Sequence, residues 1–198
     1  MEENKTVSDR ILEAALIEFG TKGYRHASTN QIYPRAMVSK GSIFKIFGSK
    51  AELFYQVFKK ALDQMVQELD LAGFKNEIDP FDKIIAVMIW KMNYAKDHPY
   101  EMNVLLEGLT NPPEEISSVI LSHTKELTKL SIETFFQEIS MDKIDPRFSK
   151  EDVISYLRIG VEGLQHTIVT KDLTLDKLES LRDHSINFLK TLLKGMEK

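Results

Sequence analysis

Signals for the start of a helix recur along the whole chain and constrain its fold more than any other feature. A hydroxyl residue is followed three positions later by an acidic residue at Thr6/Asp9, Ser49/Glu52 and Ser149/Asp152. This is the spacing of a capping box, in which two helix-terminal N–H groups are satisfied by side chains. No segment alternates apolar and polar residues with period two for long enough to predict a strand. The chain is therefore expected to be all-α.

About nine helices are expected from the caps, the prolines and the apolar residues at helical spacing. They run approximately over Thr6–Lys22, from Ser28 or Thr29 to the RAMVS turn, Ser39–Phe47, Ser49–Leu69, Pro80–His98, Pro99–Leu109, from Pro112 or Pro113 to Ser140, Ser149–Thr170 and Thr174–Gly195.

The composition excludes several classes of protein. The 198 residues include no cysteine, so disulfide frameworks and thiolate chemistry are excluded, and a reducing, cytoplasmic setting is expected. The N-terminus is polar and acidic, unlike a signal peptide. The longest uninterrupted apolar run, Ile84–Trp90, is far shorter than the roughly 20 residues that span a bilayer. No membrane partner is therefore expected.

The charge is distributed unevenly. The formal net charge is −4, yet the segment from Thr21 to Lys50 holds six basic residues and no acidic one. Such a segment is typical of a surface that binds an anion. A basic face that is simply exposed to solvent would have the same composition.

Two short helices separated by RAMVS lie within this basic segment and predict a helix-turn-helix. In that motif the second helix enters the major groove of DNA. Hydroxyls, lysines and a glycine that permits close approach suit contacts with phosphates and bases, whereas Ile43 suits either a thymine methyl or the core. The candidate DNA-binding residues are Ser28, Thr29, Gln31, Ser39, Lys40, Gly41, Ser42, Ile43, Phe44, Lys45 and Lys50.

The segments ILEAALIEFGTKGYRHASTNQI and VSKGSIFKIFGSKAELF together resemble the TetR family of bacterial transcriptional regulators. The positions that fit its pattern are Ala15, Phe19, Gly23, Tyr24, Ile32, Ala36, Val38, Ser39, Gly41, Phe47, Lys50 and Leu53. The resemblance implies a homodimer with a helix-turn-helix domain over residues 1–48 and a helical effector-binding and dimerisation domain over residues 49–198. It also implies a repressor released from a palindromic operator by a small, largely apolar effector.

Three residues depart from that family pattern. Tyr33 stands where a small residue is usual, Pro34 interrupts a helix, and Met37 replaces the glycine of the turn. Proline in a helix interior costs about 3 kcal/mol and a left-handed non-glycine residue about 1–2 kcal/mol. We therefore expect helix 2 to be shortened, shifted or kinked and the turn to be remodelled. The alternative function is a helical small-molecule-binding protein whose DNA binding is weakened or lost.

Two further departures affect contacts with DNA. At the positions of Phe44 and Ile46 the family often has residues that donate hydrogen bonds to DNA phosphates. Neither Phe44 nor Ile46 has a side chain that can donate a hydrogen bond. Weaker DNA binding than that of a standard member is therefore expected.

The C-terminal helices offer candidates for a pocket and an interface. Trp90, Tyr94, Met102 and His166 are expected to line an apolar pocket, although aromatic residues and methionines fill helical cores equally well. Small and apolar residues on the last two helices predict a dimer interface, although they suit packing within one subunit too. These residues are Gly160, Gly163, Leu181, Ser185, Phe188 and Leu192.

No catalytic motif and no cofactor motif occurs in the chain, and none of its five histidines has the H-x-x-x-H spacing of a metal site. An enzyme is therefore not expected. A metal site formed by His123, His166 and carboxylates is the alternative that remains open.

Overall fold

A computed structural model describes residues 5–71, 80–125, 141–169 and 175–198. Over these ranges the chain is helical, and the β pairing found there is a single isolated bridge between Ile144 and Glu197. The helices are α1 (Val7–His26), α2 (Thr29–Arg35), α3 (Lys40–Phe47), α4 (Lys50–Leu71), α5 (Pro80–Asp97), α6 (Pro99–Thr110), α7 (residues 117–125), α8 (Lys150–Val169) and α9 (Leu175–Lys194). The all-α prediction is confirmed.

The predicted capping boxes are present at α1 and α8. The Asp9 N–H donates to Thr6 Oγ1 at 3.1 Å, and the Thr6 N–H donates to Asp9 Oδ2 at 3.2 Å. Ser149 and Asp152 make the same reciprocal pair. Side-chain hydrogen bonds from Thr6 and Ser149 hold the pKa values of the two aspartates below their usual range.

Two helix ends differ from the prediction. Gly23 interrupts the first helix where the sequence predicts its end, with a non-helical φ of 71°, but a further helical stretch continues beyond the kink to His26. Glycine adopts this left-handed conformation without a Cβ clash, so the chain bends and continues as a helix. Pro113 precedes a 3-10 turn (Glu114–Ile116) rather than opening α7 directly. The predicted extension of α7 to Ser140 lies outside the described residues.

The chain divides into two compact units by its internal packing. The first comprises Met1–Ala72 and Lys91–Lys125, and α1, α4 and α6 form its core. Phe19, Phe54 and Phe58 are fully buried there, and the rings of Phe19 and Phe54 meet edge to face at 5.2 Å. Helix α1 contacts the short helix α2, helix α4 contacts the short helix α3, and α6 packs in turn against α1 and α4. The support for the two short helices therefore includes a helix that lies outside the N-terminal segment.

The second unit comprises Gly73–Trp90 and Glu126–Lys198. Its described core lies between α8 and α9, where Val153, Leu157 and Leu189 are buried together with Met196. The bridge from Ile144 to Glu197 ties the segment before α8 to the C-terminus. The predicted functional boundary between residues 48 and 49 stays a prediction.

Candidate DNA-binding surface

The start of α2 is fixed by two hydrogen bonds. Ser28 is the N-cap residue, and its Oγ accepts from the Asn30 N–H at 3.2 Å. The Ser28 N–H in turn donates to Oε1 of Glu18, a buried carboxylate on α1, at 3.1 Å. A side chain of α1 therefore sets the position at which α2 begins.

The turn after α2 is a Schellman motif with methionine in the place usually taken by glycine. The Val38 N–H donates to the Tyr33 carbonyl and the Met37 N–H to the Pro34 carbonyl, both at 3.1 Å. This pair of bonds defines the motif, which requires a left-handed residue at the position just after the helix ends. Met37 supplies it with φ of 53°, and its side chain is 75% exposed.

The expectation of a remodelled turn is therefore wrong. The left-handed turn keeps its backbone because two hydrogen bonds hold it and the exposed Met37 side chain meets no obstruction in the core. Pro34 lies within α2, so the Asn30 carbonyl lacks the N–H donor that a non-proline residue would offer it. Asn30 is exposed, and water can satisfy that carbonyl instead.

Helix α3 turns one face to the core and the other outward. Ser39 is its N-cap residue, and Ser39 Oγ accepts from the Ser42 N–H at 3.2 Å and pairs with Ser42 Oγ at 2.8 Å. Ile43 is fully buried at 0% exposure, and Phe47 is buried beside it along the same face. Ile43 therefore belongs to the core, which corrects its inclusion among the DNA-binding candidates.

The outer face of the motif is basic and partly apolar. Phe44 and Ile46 are exposed among the cations, and neither offers a hydrogen-bond donor. Gly41 is exposed, and a Cβ placed there would meet only Ser39 Oγ at 3.9 Å. The exposed basic residues of the acid-free segment are Lys22, Arg25, Arg35, Lys40 and Lys45.

Lys50 has a different environment from the other lysines of the segment. Its Nζ lies 4.6 Å from the centre of the Tyr24 ring. Burial lowers the pKa of Lys50, while the charges of Glu107 and Glu18 act in the opposite direction. In the free protein this ammonium rests on an aromatic face, and its predicted phosphate contact stays a prediction.

Helix α6 holds the kinked end of α1 through contacts that the sequence did not reveal. Asn103 Nδ2 donates to the Gly20 carbonyl at 2.9 Å, and Glu107 Oε2 accepts from the Tyr24 N–H at 2.7 Å. A Cβ on Gly20 would lie 2.7 Å from the Tyr100 Cα, so the two helices touch backbone to backbone. These partners are 83 residues apart in sequence, and no local pattern links them.

The predicted pocket residues occupy varied environments. Tyr94 is buried on α5 and stacks on the His98 ring at 4.2 Å, and its burial raises its pKa to about 12. Trp90 and Met102 are half-buried. The side chain of His166 lies outside the described residues. The pocket itself stays a prediction.

The predicted interface residues divide into buried and outward-facing ones. A Cβ on Gly160 would lie 2.9 Å from Leu192 Cδ1 of the same chain, and Ser185 is 0% exposed. Both pack inside the subunit, so their assignment to a dimer interface is corrected. Gly163 and Phe188 are exposed and Leu192 is half-buried, whereas the Leu181 side chain lies outside the described residues.

The described parts of the chain hold neither a helix able to span a bilayer nor a cluster of metal ligands. None of the helices there combines the length and apolar composition needed to cross a bilayer. Three or more histidine or acidic side chains nowhere come together in those parts as a set able to hold a metal ion.

Comparison with known proteins places the helix-turn-helix in a family. Residues 11–57 match the model described as bacterial regulatory proteins, tetR family. An uncharacterized HTH-type transcriptional regulator of Bacillus subtilis, YhgD, is 24% identical over 142 residues, which is 70% of this chain and 74% of that protein. A probable acrEF/envCD operon repressor of Escherichia coli K12 is 27% identical over 97 residues, 48% of this chain and 43% of the repressor.

The fold extends the likeness beyond the N-terminal segment. The crystal structure of the transcriptional regulator FadR from Bacillus subtilis, solved in complex with stearoyl-CoA, superposes with a TM-score of 0.70. The superposition covers 95% of this chain and 98% of FadR at 19% identity. At that identity the likeness shows a common fold.

Proposed function

Since the chain belongs to the TetR family of bacterial transcriptional regulators, we propose that it is a repressor that binds a palindromic operator and is released from it by a small, largely apolar effector. The observation that carries this proposal is the intact helix-turn-helix. Its Schellman turn is closed, and Lys40 and Lys45 are exposed on the second helix. The proposed DNA-binding domain spans residues 1–48, and the effector and dimer domain spans residues 49–198.

Support for an apolar effector comes from two sides. Helices α5 and α6 carry aromatic and methionine side chains of the kind that line adaptable pockets, among them Trp90, Tyr94 and Met102. The FadR structure with the same fold holds stearoyl-CoA. A long-chain acyl compound is therefore the first class of effector to test.

Helix α6 offers a route by which an effector acts on the helix-turn-helix formed by α2 and α3. Through Asn103 and Glu107 it holds the end of α1, and Glu18 on α1 sets the start of α2. A displacement of α6 would therefore move α1 and, with it, the helix-turn-helix. An effector that favours the displaced arrangement lowers DNA affinity by its coupling free energy, typically 1–3 kcal/mol.

The first prediction concerns the operator. We expect the purified protein to bind DNA from its own promoter region, with affinity that falls steeply as salt rises, because phosphate contacts release counterions. A palindrome should bind at least about 10-fold more tightly than one half-site, since two heads then engage together. Fluorescence anisotropy over a series of salt concentrations measures both quantities. Equal affinity for the half-site and the palindrome would contradict the proposal.

A dimer is proposed through the outward face of α8 and α9. Tyr156, Ile159 and Gly163 follow one another at spacings of three and four residues, so they share one face of α8. Ile159 is 59% exposed, and Phe188 of α9 is exposed beside Gly160. Two such faces would form a four-helix bundle, in which the open space at Gly163 permits close approach.

The second prediction tests that face. Changing Ile159→Asp places a charge at the centre of the apolar stripe, and we expect the dimer to dissociate at micromolar concentration because the carboxylate would lose its water there. Light scattering after gel filtration gives the molar mass. The matched control is Leu121→Asp on α7, a residue of similar exposure in the other unit. The proposed interface is wrong if the Ile159→Asp protein remains a dimer.

A further inference from the structure

The ring of Tyr24 is held in place by three helices. It follows the kink at Gly23 and stacks on Phe19 of α1, with the ring centres 6.2 Å apart. Phe54 of α4 meets the same ring edge to face at 5.3 Å. The Tyr24 N–H donates to Glu107 Oε2 of α6 at 2.7 Å. Phe19 and Phe54 are fully buried, so a packed core fixes the plane of the half-buried Tyr24 ring.

The ammonium of Lys50 lies over this ring. Its Nζ is 4.6 Å from the ring centre, a distance at which the negative face of an aromatic ring attracts a cation. Lys50 precedes Phe54 by four residues, so one side of α4 presents both side chains to Tyr24. No carboxylate lies within ion-pair distance of Nζ in the described parts of the chain, and the charges of Glu107 and Glu18 act on it from farther away.

The position of Lys50 suits a cation that receives an anion. Lys50 is the first residue of α4, and a helix N-terminus carries partial positive charge that disfavours a cation but attracts an anion. The ring offsets part of that cost and leaves N–H donors of the ammonium for a further partner. Lys50 also ends the segment without acids, directly after the helix-turn-helix. A phosphate of DNA is therefore the anion that fits this place.

We propose that Tyr24 is a positioning residue for DNA binding, whose ring holds the Lys50 ammonium where it meets a phosphate of the operator. A mobile lysine side chain loses much rotamer entropy when it binds, and a lysine already held against a ring loses less. The inference rests on the proposed function, in which the helix-turn-helix binds an operator. It adds a residue that acts on DNA affinity only through Lys50.

The first part of the test measures what Lys50 contributes. Fluorescence anisotropy follows the full-length protein on a labelled duplex from its own promoter region at several salt concentrations. Lys50→Met removes the charge and keeps the length of the side chain, and we expect about 10-fold weaker binding, with a salt slope smaller by about one unit per subunit. The matched control is Lys125→Met, an exposed lysine at the end of α7, which should stay within about twofold of the unchanged protein.

The second part tests the ring. Tyr24→Leu keeps an apolar side chain but removes the aromatic face, and we expect about fivefold weaker binding. Tyr24→Phe keeps the face and should stay within about twofold of the unchanged protein. The double variant Tyr24→Leu, Lys50→Met should bind as Lys50→Met alone does, because the ring acts through the lysine. If Tyr24 only stabilised the fold, the two losses would multiply instead.

Three results would overturn the inference: multiplied losses in the double variant, a Tyr24→Leu protein that binds as tightly as the unchanged one, or a Tyr24→Phe protein as weak as Tyr24→Leu. Thermal melts show that each variant is folded at the temperature of the measurement. If the unchanged protein binds no promoter duplex, the proposed function fails and this inference fails with it. If it binds the palindrome specifically while Lys50→Met loses nothing, this inference alone fails.

Discussion

The Lys40→Ala, Lys45→Ala double variant should lose at least about 100-fold in affinity for its operator, since each good contact to a base or phosphate contributes about 1–3 kcal/mol and a dimer loses four of them. Both lysines are exposed on α3, so their removal leaves the core intact. The slope of log affinity against log salt should also fall, by about one unit for each phosphate contact removed.

The control for this variant removes the same number of positive charges elsewhere. Lys96→Ala, Lys143→Ala changes exposed lysines outside the helix-turn-helix, and we expect operator affinity within about twofold of the unchanged protein. Anisotropy at several salt concentrations and a thermal melt are measured for both. Equal loss of affinity in the two variants would mean that overall charge, not the α3 surface, holds the DNA.

The second large effect is expected from restoring ordinary residues to the helix-turn-helix. Pro34→Ala returns an N–H donor to the Asn30 carbonyl and is expected to stabilise by about 1–3 kcal/mol after the loss of proline's restriction on the unfolded chain. Met37→Gly relieves a left-handed methionine with φ of 53°. The relief of about 1–2 kcal/mol is partly offset by the greater freedom of unfolded glycine. Together the free energy of unfolding should rise by about 2–4 kcal/mol.

Matched variants separate the two causes. Met37→Ala keeps a Cβ at the left-handed position, so it should give none of the gain of glycine. Pro146→Ala removes an exposed proline from a turn outside the helices and should give no gain. Urea unfolding curves of the full-length protein supply the comparison. If Met37→Ala stabilises as much as Met37→Gly, backbone strain is not the cause.

The same variants decide between the two proposed functions. Because the turn already has its left-handed backbone and both Schellman hydrogen bonds, we expect Pro34→Ala, Met37→Gly to change operator affinity by no more than about threefold. Specific binding that appears only in the changed protein would favour the alternative, a helical ligand-binding protein whose reading head has been disabled.

Features that depend on neighbours in sequence were predictable. The sequence predicts Thr6, Ser39 and Ser149 as cap residues, and Ser28 as one of two candidates, because a helix start needs a side-chain oxygen at one position and a backbone N–H two or three positions later. The basic outer face of α3 was visible as a segment without acids. Local hydrogen bonds and local composition depend only on residues that are close together in the sequence.

Features that depend on long-range packing were not predictable. Ile43 suited either the groove or the core, and only the fold places it at 0% exposure. Gly160 and Gly163 have the same interpretation in the sequence. In the structure, the space beside Gly160 is occupied by Leu192, whereas the space beside Gly163 is open. Conformational propensity alone predicts that Met37 disrupts the turn. The hydrogen bonds of the turn hold Met37 in the left-handed conformation despite that cost.

The sequence by itself therefore determined the helices, their caps and the basic helix-turn-helix, because each follows from interactions within a few residues. The tertiary structure decided which side chains face outward and what holds the reading head. Glu107 and Asn103 contact the end of α1 across 83 residues. The physical reason is that burial is set by the partner helix, and a sequence does not state which helix that is.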